Sequence, residues 1–337
     1  MVRLTFIIPY YNGFKYIDEC ILSIYNQSCP KDEYEVIIVN DNSVDVSSVE
    51  KLHDYQQQYD NIHVIHNTSN QRCGICRNMG VQKARGEYIW FIDQDDYIKP
   101  NCIQYLLNQC VENKLDILYF DYRNVSDDLS YNKKINLINA DTEVMSGLEY
   151  IHTTCKSDFW HSEYDTNVWH AVYRRDFLLS NNIFSPPVSY CEDLIVAQHT
   201  IIMASRFQAI TKDYYCYRYN PDSVFHTQVG KNGRCIFDAS IYAGVELIKL
   251  SNLIGENYLK EKKSVFEGGV YRINSFTKSI LKNSFKQREL FFEYVMKNTN
   301  IMDEIQAYLT PFNQWMIRHP NICKYFPFLV YIVAKLK

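Results

Sequence analysis

An apolar run ends abruptly in three carboxylates at Tyr88-Ile89-Trp90-Phe91-Ile92-Asp93-Gln94-Asp95-Asp96-Tyr97. Bulky residues in succession read as a strand buried on both faces. Carboxylates directly after such a strand fall where parallel sheets bind ligands, just past the carboxyl ends of the strands. Asp93 and Asp95 stand two apart, so extended backbone would point both to one side. Two hard oxygen donors suit Mg²⁺ or Mn²⁺, which share their remaining positions with water and substrate phosphates. The chemistry indicated is a metal–diphosphate site. The competing reading is a solvated acidic turn ahead of Pro100.

Other residues carry possible chemistry. Asp41, in Asn40-Asp41-Asn42-Ser43, can accept from a base N–H or a ribose hydroxyl, or serve only as an Asx-turn residue. Tyr10 or Tyr11 can stack on a base. Arg77 can meet phosphates. Glu192-Asp193 opens a helical pattern that continues to about Met203. The helix dipole alone accounts for an acidic pair there; the functional reading makes one of the two a general base. Trp160 and Trp169 can floor an acceptor sugar or simply pack. Arg218 ends an aromatic strand over residues 214–219, and the following loop to Gly230, with Ser223 and His226, suits a lid over a diphosphate.

Elements that could position these groups recur along the chain. Apolar stretches at 4–9, 35–40, 62–65 and 88–92 alternate with helical spacing. Ile17, Cys20, Ile21, Ile24 and Tyr25 mark one helix. A second is capped by Asp45 or Ser47 and runs through Val49, Leu52 and Tyr55. A third spans about 74–84 with Gly86 as its C-cap residue. Strands alternating with helices mean βαβ units, a parallel sheet and a three-layer α/β domain. The strand ends then share one edge, bringing together residues 9–12, 40–43, 66–67 and 93–96. A helix through Ile103, Leu106, Leu107 and Cys110 and a strand at 117–122 follow. The polar stretch to about Asn139 reads as loops and antiparallel strands. Trp169–Arg175 reads as the start of a short helix. From Arg234 onward the pattern is helical, over 236–253, 258–282 and 288–297, with Gly268-Gly269 interrupting the second.

Composition excludes several classes. The 337 residues are 47% apolar and 22% charged, as in a soluble globular protein. A net charge of −4 gives no reason to expect nucleic acid as a partner. The 11 Cys form no framework, and Cys73-x-x-Cys76 lacks a second pair at zinc spacing. Pro9 breaks the opening stretch, so the expectation is no secretory leader, reduced thiols and a cytoplasmic protein. No apolar run approaches the ~20 residues of a membrane span. Neither G-x-G-x-x-G nor G-x-x-x-x-G-K-[ST] occurs, leaving a dinucleotide Rossmann site and a P-loop unsupported. The apolar and basic tail, including Trp315, Arg318, Lys324, Phe326, Phe328, Lys335 and Lys337, can rest on an anionic membrane surface, or dock on the core or on a second subunit.

Taken in order, these motifs resemble glycosyltransferase family 2. The resemblance is carried by Ile7-Ile8-Pro9-Tyr10-Tyr11-Asn12; Ser23 and Gln27; Glu35–Ser43 with Asp45; Arg77-Asn78, Gly80, Ala84 and Gly86; Phe91–Asp96; Glu192-Asp193; and Tyr217-Arg218 with Ser223-Val224. It covers about residues 4–226. It implies a GT-A fold, Rossmann-like with a mostly parallel sheet flanked by helices, in a domain of residues 1–230; the helical C-terminal region at 231–337 lies outside it. It also implies inverting transfer from a nucleotide-sugar, most simply a UDP-sugar, to a glycan or lipid-linked acceptor. By this resemblance Asp93 and Asp95 are the family's DxD, with Asp95 on the metal (Mn²⁺ or Mg²⁺). Pro9, Tyr11 and Asp41 surround the base, Arg77 lies near the nucleotide, and Asp193, beside Glu192, is the base. Asn40 departs from the family's pattern, which has Asp there.

Such a site would work by single displacement. A divalent ion at Asp95 would stabilise charge on the departing diphosphate, and Asp193 would take the acceptor's proton. Two alternatives stand beside it. A sugar nucleotidyltransferase wants an early Gly-rich, Arg-containing loop, and the loop after Pro9 has only Gly13. A non-catalytic binding module would tolerate the loss of an acidic site, and all are present. Donor sugar, linkage and oligomeric state are not legible.

Overall fold

The computed structural model of the chain describes residues 1–126, 131–154, 167–188, 191–220, 234–280, 303, 306–319 and 321. These group into two compact units. The first holds residues up to 154, 167–187 and 196–220; the second holds 188, 191–195 and those from 234 onward.

The first unit is built on one sheet. Four strands, β1 (Leu4–Tyr10), β2 (Tyr34–Asn40), β3 (Ile62–His66) and β4 (Tyr88–Phe91), are parallel. Helices α1 (Ile17–Tyr25), α2 (Val46–Gln58) and α3 (Arg72–Lys83) fill the crossovers. Every residue of β1, β2 and β4 is buried, as an apolar run covered on both faces requires. α1 buries Ile17, Cys20, Ile21, Ile24 and Tyr25, the set its spacing predicts. Asp45, not Ser47, caps α2, accepting from the Ser48 amide at 2.8 Å. α4 (Ile103–Glu112) turns Ile103, Leu106, Leu107 and Cys110 inward.

Among the described residues nine strands join the sheet, in the order β3-β2-β1-β4-β8-β6-β9-β5, with β7 also on β6. β6 is Ile117–Val125, β7 Asn132–Ile135, β8 Ala171–Arg174 and β9 Phe207–Arg218. Where the sequence reads a helix beginning at Trp169, the chain is in fact strand: β8 lies antiparallel between β4 and β6. The helix there, α6 (Arg175–Ser180), starts only at Arg175. Val172 and Tyr173 are β-formers whose ladder partners on both sides come from distant sequence, so the sheet decides their state. The short β5 (Tyr97–Ile98) pairs antiparallel with β9. The turn of residues 93–96 is thereby held between β4 and β5. α5 (Gly147–Thr154) follows β7 in sequence.

Gly86 is not a helix cap. α3 ends at Ala84 with extended backbone. A Cβ on Gly86 would meet the Thr5 amide nitrogen at 2.6 Å, so this glycine serves a close approach to β1.

In the second unit, α8 (Arg234–Ser251), α9 (Leu259–Ile280) and α10 (Pro311–Arg318) are helical, as the pattern from Arg234 onward predicts. Gly268-Gly269 does not interrupt α9. A Cβ at Gly269 would come to 2.6 Å from the Gly244 carbonyl oxygen, so small residues let α8 and α9 cross closely. No helix among the described residues is long and apolar enough to cross a membrane. Residues 322–337, most of the basic and apolar tail, lie outside the described residues.

Candidate active site

The carboxyl edge of β1–β4 gathers the sequence candidates of the first unit. Pro9 stands in β1 paired with Val39. The ladder to β4 ends with Ile92 N donating to Ile7 O at 3.0 Å. Two residues on, the nitrogen of Pro9 faces that same side, where no donor is needed. The β1–β4 ladder therefore has no bond at Pro9. Polar side chains link the loops around the edge. Tyr11 N donates to Gln94 Oε1 at 2.9 Å, and Gln94 Nε2 returns a bond to Tyr11 O at 3.1 Å. Asn12 Oδ1 accepts from the amides of Val44 and Asp45 at 3.0 and 3.2 Å. Asn12, Asn42 and Arg72 on this edge have positive φ, of 48°, 63° and 74°. Asn tolerates that region through its short polar side chain, whereas Arg72 is strained there.

Tyr11 is 42% exposed, a ring open to a ligand. Tyr10, the other stacking candidate, is buried in the core with its hydroxyl on Ser48 O at 3.2 Å. Strand alternation turns it inward, so it is not a stacking residue.

Asp41 is buried at the end of β2. Its Oδ1 accepts from Asn67 Nδ2 at 2.8 Å and Gln71 N at 2.7 Å, and its Oδ2 from Arg72 N at 2.7 Å. The carboxylate thus holds the entry to α3, where helix amides and the dipole favour a negative charge. The Cys76 thiol is a further hydrogen-bond partner of this carboxylate. Asn40 bonds sideways, its Nδ2 to His66 Nδ1 at 3.1 Å and its Oδ1 to Ser43 N at 3.0 Å.

Residues 93–96 are not extended. Asp96 N donates to Asp93 O at 3.1 Å, closing a turn. The two-apart alternation argument therefore does not apply to Asp93 and Asp95, and tertiary partners orient each carboxylate instead. Arg77, buried on α3, donates through Nη2 to Asp93 Oδ1 at 2.8 Å. Asn220 Nδ2 donates to Asp95 Oδ2 at 2.8 Å. Burial pushes the Asp95 carboxyl up, the Asn220 bond opposes this, and the charge on Asp93 raises it further. Asp96 is buried and lies well above the usual carboxylate range through desolvation, then the charges of Asp95 and Asp93. Tyr215 Oη donates to Asp96 Oδ2 at 2.6 Å, and Arg218 N to Asp96 Oδ1 at 2.7 Å.

Crowded acidic groups of this kind favour an added cation. Among the described residues no group of three or more His, Cys, Asp or Glu is arranged to hold one alone. The donor set fits an ion that takes one or two carboxylates and completes its shell with water and phosphate oxygens, the habit of Mg²⁺ and, with similar oxygen ligands, Mn²⁺.

Arg218, which the sequence puts at the mouth of a lid, is a buried part of the fold. It ends β9, donates through Nε to Asp95 O at 2.9 Å, pairs with Glu19, and lies over the rings of Tyr16 and Tyr97 at 5.0 and 5.4 Å. Trp169 is likewise no sugar platform. It is 2% exposed and stacked on Tyr215 and Tyr217 at 4.4 and 5.4 Å. His226, Ser223 and Trp160 lie outside the described residues.

Glu192 and Asp193 open α7 (Glu192–Met203) as expected, and their part of it belongs to the second unit. Glu192 is buried, Asp193 half-buried, and Cys191 before them has φ 65°. Sequence reasoning put Gln94 and Asp96 on this edge without assigning either a role, and it overlooked Tyr215, Asn220 and Glu19 as parts of the site, because their partners lie far off in the chain.

Comparison with known proteins bears on this arrangement. The family model for glycosyl transferase family 2 matches residues 5–178. An uncharacterized glycosyltransferase of Bacillus subtilis, EpsJ, is 32% identical over 226 residues, 66% of this chain and 62% of that protein. The poly(ribitol-phosphate) beta-glucosyltransferase of Bacillus spizizenii is 41% identical over 117 residues, 34% of this chain and 18% of that one. The chain thus spans less than two thirds of the length of either. Among solved structures, S. aureus TarS 1-349 in complex with UDP-GlcNAc matches with a TM-score of 0.68 at 19% identity, over 99% of this chain and 92% of that chain. This last likeness shows the fold: a mixed α/β sheet with flanking helices and a helical C-terminal region, the GT-A fold that the motifs imply.

Proposed function

The chain belongs to glycosyl transferase family 2, and from that premise we propose that it moves a sugar from a nucleotide-diphosphate donor to a hydroxyl of a cell-surface glycan, with inversion. The observation that carries this reading is the convergence of Asp41, Tyr11, Asp93 and Asp95 on one edge of a parallel sheet. A nucleoside diphosphate needs a base reader at one end and charge neutralisation at the other, and this edge offers both.

Asp41 is the carboxylate we assign to the base, and Tyr11 offers a ring to it. Asp95, with Asp93 beside it, would hold Mn²⁺ or Mg²⁺, which offsets the charge developing on the departing diphosphate. Arg77 holds Asp93 by a hydrogen-bonded ion pair. Asp193 is the group we assign to accept the proton of the acceptor hydroxyl as it attacks the anomeric carbon. One displacement, with no covalent sugar on the protein, inverts that centre. Glu192 adds its charge to the same helix terminus.

UDP is the carrier to try first, and UDP-GlcNAc the first donor, because TarS has been solved in complex with both UDP and UDP-GlcNAc. Relatives named as poly(ribitol-phosphate) glucosyl- and N-acetylglucosaminyltransferases make a polyol-phosphate polymer the first acceptor class. The test is calorimetric titration with UDP, GDP, CDP and dTDP, with and without Mn²⁺. It is followed by release of UDP from UDP-GlcNAc in the presence of a poly(ribitol-phosphate) acceptor. Metal-dependent binding of one nucleotide supports the donor site. Failure of all four to bind, with or without metal, overturns it and leaves a glycan-binding module.

A further inference from the structure

The carboxylate turn does not stand on β4 alone. Three groups that bind it come from the end of β9 and the residues just after, about 120 residues away. Tyr215 Oη touches both ends of the turn, donating to Asp96 Oδ2 at 2.6 Å while accepting from Asp93 N at 3.1 Å. Arg218 binds the middle and the far end, through Nε to Asp95 O and through its amide to Asp96 Oδ1. Asn220 acts on a carboxylate itself, donating through Nδ2 to Asp95 Oδ2 at 2.8 Å.

The platform that carries these groups is held on both sides. β9 runs beside β6 as far as the pair Val125 and Arg218. Its other edge carries β5, through Tyr97 with Cys216 and Ile98 with Tyr215. The Arg218 guanidinium is fixed by Glu19 and by the rings of Tyr16 and Tyr97. Trp169 stacks on the Tyr215 ring. None of these contacts is required merely to close a turn, which the Asp96 amide and the Asp93 carbonyl already do. What they add is orientation: with one Asp95 oxygen engaged by Asn220, the rotation of that carboxylate is set.

We propose that Tyr215, Arg218 and Asn220 are positioning residues for the cation site, with Asn220 setting the Asp95 carboxylate and Tyr215 and Arg218 setting the backbone that carries it. The proposal rests on the reading of Asp95 as the metal-bearing carboxylate. Hydrogen bonds to a ligating carboxylate typically govern about 10- to 100-fold in metal affinity. β9 thus becomes half of the metal site, although it supplies no metal ligand.

The experiment measures free Mn²⁺ by electron paramagnetic resonance during titration of the whole chain at saturating UDP. Wild type is compared with Asn220→Ala and with Tyr215→Phe, which keeps the stacked ring. UDP affinity without metal and the melting transition are recorded alongside. The expected result is Mn²⁺ affinity lower by roughly 10- to 100-fold in Asn220→Ala, with metal-free UDP affinity and melting unchanged. A smaller loss in the same direction is expected for Tyr215→Phe. If wild type binds Mn²⁺ with UDP and both variants match it, the positioning role is overturned while the site reading stands. If wild type binds no Mn²⁺ with UDP, the site reading itself fails, and this proposal with it.

Discussion

Arg77, buried on α3, donates to Asp93 Oδ1 at 2.8 Å, so the helix that follows β3 grips the turn that follows β4. The pair leaves one Asp93 oxygen outside this bond and counters the charge that Asp93 shares with Asp95. Removing the cation leaves an acid beside two others in a confined turn. Arg77→Met should destabilise the fold by about 2 kcal/mol, less than the loss of a fully buried pair, because Asp93 is partly exposed. It should also weaken metal-free UDP binding, since the turn shifts. Urea denaturation and calorimetry check both; unchanged values in the two would remove Arg77 from the site.

Asp95→Asn keeps size and one acceptor oxygen for Asn220 Nδ2 but loses the charge that attracts a cation. UDP binding without metal should persist, and the gain in affinity on adding Mn²⁺ should vanish. A mutant that retains the Mn²⁺-dependent gain would show that the cation is held elsewhere.

Asp193→Asn separates chemistry from binding. Loss of a general base typically costs about 10²- to 10⁴-fold in rate, so turnover of UDP-GlcNAc should fall by that order while UDP affinity stays within a factor of a few. Turnover near the wild-type rate would assign the proton to another group.

Glu35 predicts a pH dependence of stability away from the site. Its buried carboxylate accepts from Thr5 Oγ1 at 2.7 Å, Arg85 N at 2.6 Å and Arg85 Nε at 2.7 Å. Burial alone would raise its pKa, but the bonds from Arg85 and Thr5 outweigh this and hold it below the usual value. A carboxyl depressed in the folded state stabilises the fold fully above its unfolded pKa of about 4.3 and loses that contribution as pH falls through the lower, folded value. The melting-temperature gap between wild type and Glu35→Gln should therefore be wide at neutral pH and close in acid. A gap that stays constant with pH would refute the assignment.

Gly269 offers a test of sign. Ala is a better helix former than Gly by about 1 kcal/mol, so Gly269→Ala would stabilise α9 if the glycine only interrupted it. The Cβ would instead press on the Gly244 carbonyl, and overpacking of this kind costs about 1–3 kcal/mol. Net destabilisation in thermal melts is expected; a higher melting temperature would show that α8 and α9 do not cross this closely.

Sequence alone determined the regular half of the fold. The runs that became β1, β2 and β4 are rich in apolar residues and wholly buried, because burial on both faces permits few alternatives. Helical spacing placed α1, α2 and α4, and parallel connection forced their strand ends onto one edge, so Asp41 and Asp93–Asp96 were bound to meet. Tertiary structure decided the rest. The four residues of β8 are too few to declare a state, and they became strand because β4 and β6 offered a ladder on each side. Asp95 and Asp96 took their orientation from Tyr215, Arg218 and Asn220, whose relation to them is a matter of fold rather than of local spacing. Gly86 and Gly269 looked like punctuation, yet each marks a close approach to chain that is remote in sequence. Local pattern reports what a segment can bury; only the assembled sheet and helices determine what faces it.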